Sequence, residues 1–338
     1  MPTINRRQFI SGTASVAAAG TLSACGNPDE QTVVRPEGVP VSAFGADSTA
    51  LEVTEGLDLT GKTAFITGCN SGLGFETMSV LSLRGANIIG AARTMEKAET
   101  AIATLDGPAT PVVCELGDLQ SVAACGATVN QLGTPIDMLI LNAGIMALPE
   151  LEQINGIEKQ FFVNHLGHFT LTSHLLKQVM AAPQGRIVVV SSSGHQFAPD
   201  DGIDFTNLSG EKEYSPWGAY GVSKLANGLF SLELTKRLAQ TPATENAVHP
   251  GIINTNLGRH FPWWQRTAAS LFGWAFMKEI AQGAATQTYV ATAPALAGYS
   301  GYYFADCNPL LPDPRKLDEQ QAAELWAVSE ELAAGYLG

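Results

Sequence analysis

Charge is scarce in this chain: of 338 residues only 15% are charged, where roughly 25% is usual for a soluble domain. Positive charge is scarcer still, with Lys+Arg at 19 against Asp+Glu at 32 and a formal net charge of −13. With no Lys/Arg cluster to neutralise phosphates, duplex nucleic acid is excluded as a partner. The five cysteines, Cys25, Cys69, Cys114, Cys125 and Cys307, include no CxxC pair, so neither a zinc site nor a disulfide framework is expected. His165 and His168 stand three apart without a third ligand in register, so they are read as capping or packing residues and no metal is expected. Cys69 is read as a small packing residue. There is no internal repeat, and no apolar run reaches the roughly 20 residues that a spanning helix needs. What is present is a 45% hydrophobic content, enough to bury a large core and to exclude disorder as the main state.

The chain opens MPTINRRQFISGTASVAAAGTLSAC. Arg6-Arg7 precedes a mildly apolar stretch from Phe9 to Leu22, followed by Leu22-Ser23-Ala24-Cys25. This pattern resembles a bacterial twin-arginine signal ending in a lipobox over residues 1–25. It implies export of the folded protein and membrane association through a lipidated Cys25, on the periplasmic or extracytoplasmic face. The alternative is an uncleaved tail on a cytoplasmic protein. Residues 26–43, with three prolines and no hydrophobic periodicity, read as a flexible tether. Residues 44–338 are then one globular domain.

Within that domain apolar runs alternate with helical patterns. Strands are expected over 62–67, 87–92, 111–116, 136–141 and 186–191, with a sixth ending at Val248 and a last over 301–304. Helices are expected over 73–84, 96–105, 118–130, 153–166, 168–181 and 219–239. About seven strands separated by helices predict an α/β fold: a doubly wound, Rossmann-type parallel sheet with helices on both faces.

After the first strand comes Thr67-Gly68-Cys69-Asn70-Ser71-Gly72-Leu73-Gly74. Glycines at a strand–helix turn let backbone approach a pyrophosphate, which the free N–H groups and dipole of the next helix favour. The second strand ends Ala91-Ala92-Arg93, where an NAD enzyme usually places an acid. A guanidinium there matches a 2′-phosphate, which Ser71 is placed to share, so NADP(H) is the expected cofactor.

Tyr220 and Lys224 lie at i and i+4 on one helix, placing a phenol and an ammonium on the same face. A tyrosine, ordinarily near pKa 10, works as an acid/base near neutrality only if positive charge lowers it. Ser191-Ser192-Ser193 follows the fifth strand, at the carboxyl edge where doubly wound sheets bind ligands.

With these pieces in place the chain resembles a short-chain dehydrogenase/reductase of the retinol-dehydrogenase-like and WW-domain-oxidoreductase branch. The matching segments are TGCNSGLG (67–74), LNAG (141–144), NHLGHF (164–169), VVVSSSGH (188–195), YSPWGAYGVSKLAN (214–227) and HPGIINTNLGRH (249–260). The resemblance implies Tyr220 as proton donor and acceptor, with Lys224 lowering its pKa and binding the nicotinamide ribose. It implies Ser192 as the hydrogen-bond donor to the substrate oxygen, with Ser191 and Ser193 still open, and Asn164 as holder of a water in the proton relay. Asn142, Ala143 and Gly144 would line the cofactor, as would Pro250, Gly251, Ile253 and Thr255 on the nicotinamide side. Glu115-Leu116 stands where the family commonly has Asp-Leu, and the extra methylene puts the adenine contact in doubt.

Between Phe261 and Phe276 lie six aromatics, far above the chain's 8%. In the resembled family this insertion, about 252–280 here, is the substrate lid, and an aromatic lid suits a small lipophilic alcohol or carbonyl substrate. The expected activity is hydride transfer on such a substrate. The alternatives are a non-catalytic NADP(H)-binding sensor and a membrane-surface lipid-binding module on the same fold. Homo-oligomerisation is left open.

Overall fold

Strand β1 (Thr63–Thr67, TAFIT) is buried along its whole length, because both of its faces carry apolar side chains. Phe65 enters one core with Ile89, Leu139, Leu141 and Val189, and its neighbours Ala64 and Ile66 enter a second with Ile88, Ile140 and Val188. The period-2 alternation thus feeds two cores, one on each face of a sheet that helices cover on both sides. The computed structural model describes residues 35–253, 278–311 and 317–338. The expected signal, Cys25, Thr255 and most of the expected lid lie outside the described residues.

The other strands are β2 (Asn87–Ala92), β3 (Ala109–Val113), β4 (Met138–Leu141), the short β5 (Gln153–Ile154) and β6 (Ile157–Glu158), β7 (Arg186–Val190), β8 (Thr244–His249), β9 (Tyr302–Ala305) and β10 (Asn308–Leu310). The main sheet runs β10-β9-β8-β7-β4-β1-β2-β3, parallel throughout except for the β9–β10 pair. The doubly wound α/β fold is as expected, with an eighth, antiparallel edge strand. Asp306 and Cys307, at φ +50° and +60°, form the two-residue turn that makes this last hairpin. The strand order reverses between β1 and β4, so a crevice opens at their carboxyl ends.

Helices flank the sheet: α1 (Ala50–Val53), α2 (Gly72–Leu83), α3 (Met95–Ile102), α4 (Leu119–Gln131), α5 (Lys159–Phe161), α6 (Gly167–Ala181) and α7 (Pro216–Leu238). They are followed by α8 (Ile280–Gly283), α9 (Ala285–Thr292) and α10 (Glu319–Leu332). The longest, α7, starts on a Ser215 cap whose hydroxyl accepts from the Gly218 N–H, with Pro216 in its first turn.

One expected helix is corrected. Residues 153–158 form the β5–β6 hairpin, pairing Gln153 with Glu158 and Ile154 with Ile157. Its turn is Asn155-Gly156, both at positive φ, +52° and +78°. That dipeptide between two isoleucines is a hairpin signal that outweighs helical spacing. The third strand also ends earlier than expected, at Val113, leaving Cys114–Leu116 as crevice floor.

Of the stretch expected as a tether, residues 35–43 are described, and their far end is fixed. Val39 is buried, the Ser42 N–H donates to Asn308 Oδ1 at 2.9 Å, and Asn308 Nδ2 donates to the Phe44 carbonyl at 2.8 Å.

Candidate active site

At the end of β1 the chain turns through Gly68 and Gly72, at φ +69° and +57°, into α2. Gly74 lies where α2 presses on this turn: a Cβ there would stand 2.4 Å from the Gly68 carbonyl oxygen and 2.5 Å from Asn142 Nδ2. Only glycine permits that approach. Asn70 and Ser71 are exposed at the crevice, and Ser71 occupies the N-cap of α2 in extended conformation without a side-chain cap bond. Cys69 is fully buried, and burial pushes its thiol up to about 12, which fits packing. Arg93 follows β2 directly, is exposed, and lines the same crevice.

The loop after β4 is held by its backbone. The Asn142 and Ala143 N–H groups both donate to Thr67 Oγ1, at 2.9 and 3.0 Å, and Asn142 Nδ2 donates to the Thr67 carbonyl at 2.9 Å. Gly144 comes next, where a Cβ would meet Asn164 Oδ1 at 3.1 Å. Asn164 sits in a π-helical turn (Phe162–Leu166) before α6, an irregularity common at functional sites. Its Oδ1 accepts from the Ile145 N–H at 2.8 Å, and its Nδ2 donates to the Ile145 carbonyl and to Ser223 Oγ, each at 2.9 Å.

Across the crevice, Ser192 stands two residues beyond β7 and caps a short 3₁₀ turn, its Oγ accepting from the Gly194 N–H at 3.0 Å. The Ser192 hydroxyl lies beside the Tyr220 ring, since a Cβ on Gly194 would stand 3.2 Å from Ser192 Oγ and 2.6 Å from Tyr220 Cε1. Gly194 thus makes room for the phenol. Ser191 is committed elsewhere, its Oγ donating to the Lys224 carbonyl at 2.9 Å. Ser193 offers its N–H to His249 Nδ1 at 3.1 Å. Of the three serines, Ser192 is thus the one at the phenol.

Lys224 is buried, and its Nζ donates to the Val190 carbonyl at 2.9 Å, a bond to the end of β7 that holds the side chain beneath the crevice. Burial pulls its ammonium down to about 8. Burial also raises the Tyr220 phenol above its ordinary value, offset in part by Ser192. In the protein by itself the phenol therefore stands above its ordinary value, where the sequence leads one to expect it below.

Pro250 and Gly251, the latter at φ +97°, turn the chain after β8 along the same crevice. Ile253 pairs with Lys278 in a parallel bridge, and Lys278 Nζ lies 2.5 Å from Asp306 Oδ1. The two ends of the expected lid are therefore brought together. On the far side, Glu115 Oε1 accepts from the Gly117 N–H at 3.0 Å, so this carboxylate is folded back on its own loop. Leu116 is buried beneath it.

The crevice encloses about 930 Å³, running from the glycine turn past Arg93 and Glu115 to Ser192, Tyr220 and Lys224. That volume and the glycine cradle fit a dinucleotide. Sequence reading did not single out Ile154, Val163, Phe197, Trp217 or His249, which also line it. The signal for Ile154 was the Asn-Gly hairpin. Trp217 stands edge-on to Tyr220, with ring centres 6.1 Å apart, and Phe197 packs on Trp217 at 5.4 Å.

The two helix histidines face apart. His165 Nε2 lies 2.8 Å from Ser329 Oγ, and His168 Nε2 lies 2.9 Å from Thr67 Oγ1. Burial lowers both, to about 3 and about 4, so each is neutral. No metal-competent cluster occurs among the described residues.

A glycine turn, a buried lysine and a tyrosine thus meet in one crevice at the carboxyl edge of a doubly wound sheet, and comparison with known proteins gives the class. Residues 62–202 match the short chain dehydrogenase family. The chain is 39% identical over 306 residues to the WW domain-containing oxidoreductase of Pongo abelii, covering 87% of this chain and 73% of that protein. It is 40% identical over 287 residues to retinol dehydrogenase 14 of Mus musculus, covering 80% and 85%. A crystal structure of an uncharacterized protein from Mycobacterium Paratuberculosis superposes with a TM-score of 0.68 at 34% identity, covering 83% of this chain and 97% of that one. The chain belongs to the short-chain dehydrogenase/reductase family, whose members bind NAD(P)(H).

Proposed function

We propose that the protein is an NADP(H)-dependent oxidoreductase interconverting a small lipophilic alcohol and its aldehyde or ketone. The observation that carries this reading is the Ser192–Tyr220 pair, backed by Lys224, facing the crevice beside the glycine turn. Gly68, Asn70, Ser71, Gly72, Leu73 and Gly74 would hold the pyrophosphate, and Arg93 the 2′-phosphate, since no acid stands at the end of β2. Asn142, Ala143 and Gly144 would line the nicotinamide half, with Pro250, Gly251 and Ile253 on its other side.

A bound nicotinamide supplies the hydride and, when oxidised, a positive charge beside the phenol. Ser192 donates to the substrate oxygen and positions its carbon. In the reductive direction Tyr220 gives that oxygen a proton, and in the oxidative direction it takes one. Lys224, pinned to Val190, keeps an ammonium within 5.9 Å of the phenol ring. Phe197 and Trp217 give the substrate side an apolar wall, which suits a lipophilic body.

The same reading places the protein outside the cytoplasm, exported by the twin-arginine route and anchored through a lipidated Cys25, close to lipophilic substrates. The folded enzyme would then carry its nucleotide across, and turnover there would have to pair two substrates, one oxidised as the other is reduced. Exported material that carries no nucleotide counts against this part.

The test follows NADPH oxidation by absorbance with retinal, long-chain aldehydes and steroid ketones, for the protein and for Tyr220→Phe. Turnover that the variant loses while still binding NADPH supports the enzyme. Binding without turnover across the panel favours a nucleotide sensor, and absence of NADPH binding rejects both.

A further inference from the structure

The buried imidazole of His168, second residue of α6, connects two parts of the site that nothing else in it joins directly. On one side Thr67 Oγ1 receives the Asn142 and Ala143 N–H groups at 2.9 and 3.0 Å. Those two donors fill the hydroxyl's acceptor capacity, so its proton must go outward. His168 Nε2, at 2.9 Å, is a better recipient than the Ile140 carbonyl at 3.4 Å. A neutral imidazole that accepts at Nε2 carries its proton on Nδ1, and His168 Nδ1 lies 3.0 Å from the Asn164 carbonyl. The result is one directed chain of bonds, from the backbone N–H groups of residues 142 and 143, through Thr67 and His168, to the Asn164 carbonyl.

The Asn164 side chain closes the circuit from the opposite end. Its amide grips both backbone groups of Ile145, at 2.8 and 2.9 Å. The loop 142–145 is therefore clamped at its start by Thr67 and at its end by Asn164, and His168 ties the two clamps together. Gly144 lies between them, 3.7 Å from Lys224 Nζ at its would-be Cβ.

We propose that His168 is a positioning residue that holds loop 142–145 in the shape the dinucleotide requires, acting through Thr67 and Asn164 without touching the cofactor itself. This rests on the assignment of the crevice to NADP(H). Loss of the link leaves two buried polar groups without their partner and lets the loop relax, so nucleotide affinity falls before chemistry does.

Two substitutions separate the halves of the link. His168→Gln keeps a polar group near the Nε2 position and so retains Thr67. His168→Asn keeps one near Nδ1 and so retains Asn164. The measurement is NADPH affinity by fluorescence titration, with steady-state kinetics at saturating nucleotide, on the full chain.

His168→Asn is expected to weaken NADPH about tenfold, the effect of one lost buried hydrogen bond, while His168→Gln stays nearer the parent. The loss should appear in KM for nucleotide, with kcat largely retained at saturation. Thr67→Val added to His168→Asn should weaken binding by less than the product of the two single effects. Parent-like NADPH affinity in His168→Asn, or a loss confined to kcat, overturns the role. If the parent protein fails to bind NADPH, the cofactor assignment falls and this role with it, an outcome plainly different from a variant that binds like the parent.

Discussion

Lys224 directs its ammonium at the Val190 carbonyl, 2.9 Å away, while lying 5.9 Å from the centre of the Tyr220 ring. It therefore acts on the phenol as a fixed neighbouring charge. Burial has drawn it down to about 8, yet at neutral pH most of it remains protonated. Burial raises Tyr220, so every nearby cation counts toward making it a usable base. In the proposed mechanism oxidation requires the deprotonated phenol, so the rate of oxidation should rise with pH as it ionises. Lys224→Met removes the cation, raises the phenol further and moves that limb toward higher pH by about one unit or more. Turnover at neutral pH should fall by roughly 10²–10⁴-fold. A pH profile of kcat/KM for alcohol oxidation decides, and an unmoved limb counts against the electrostatic role.

Ser191 and Ser192 are adjacent and chemically identical, but their hydroxyls do different things. Ser191 Oγ donates to the Lys224 carbonyl, whereas Ser192 Oγ accepts from the Gly194 N–H beside Tyr220 and holds the phenol down. Ser191→Ala should therefore cost about 1 kcal/mol of stability with little loss of turnover. Ser192→Ala should lower kcat by about 10²-fold, the scale of one lost donor to a developing oxyanion. Thermal melts and turnover measured on both variants test the assignment, and equal kinetic losses would contradict it.

Much of this site is legible in sequence because its parts are local. The glycine turn, the phenol–ammonium helix and the serines after β7 each lie within eight residues, and short spacing fixes relative position once the element type is known. The sheet followed from the same logic, since strands such as TAFIT and RIVVV are apolar on both faces. What the sequence hid depends on long-range partners. Residues 301–304 read as a closing strand, but the antiparallel partner at Asn308–Leu310 holds three residues only and is defined by pairing with it. The choice of Ser192 over its neighbours depends on Tyr220, 28 positions away. At Asn155-Gly156 two local signals compete, the apolar helical spacing and the turn dipeptide, and the hairpin that forms shows the turn prevailing.

Arg93 stands exposed just after β2, on the crevice wall, and forms no ion pair among the described residues. Arg93→Glu replaces a guanidinium with a group that repels a 2′-phosphate and accepts from a ribose 2′-hydroxyl. The ratio of NADPH to NADH affinity should fall by about 10²-fold, most steeply at low salt. Titrating both nucleotides against both proteins measures it, and an unchanged ratio would mean that the preference, if any, is set elsewhere.

Glu245 supplies a pH dependence that has nothing to do with the chemistry. It is fully buried on β8, where Ser231 Oγ donates to Oε1 at 2.6 Å and Thr235 Oγ1 donates to Oε2 at 2.9 Å. Those bonds favour the carboxylate, but burial outweighs them and raises the group from 4.5 to about 8. A carboxyl raised on folding contributes stability that is complete below its unfolded pKa and is lost as pH rises through the folded one. The loss here spans pH 4.5 to about 8. Glu245→Gln keeps the shape and removes the ionisation. The variant should match or fall slightly below the parent at pH 5 and exceed it above pH 8, by a margin on the order of a few kcal/mol. Thermal unfolding across that range should show two curves that cross, and curves that stay parallel would place the ionisation outside the folding equilibrium.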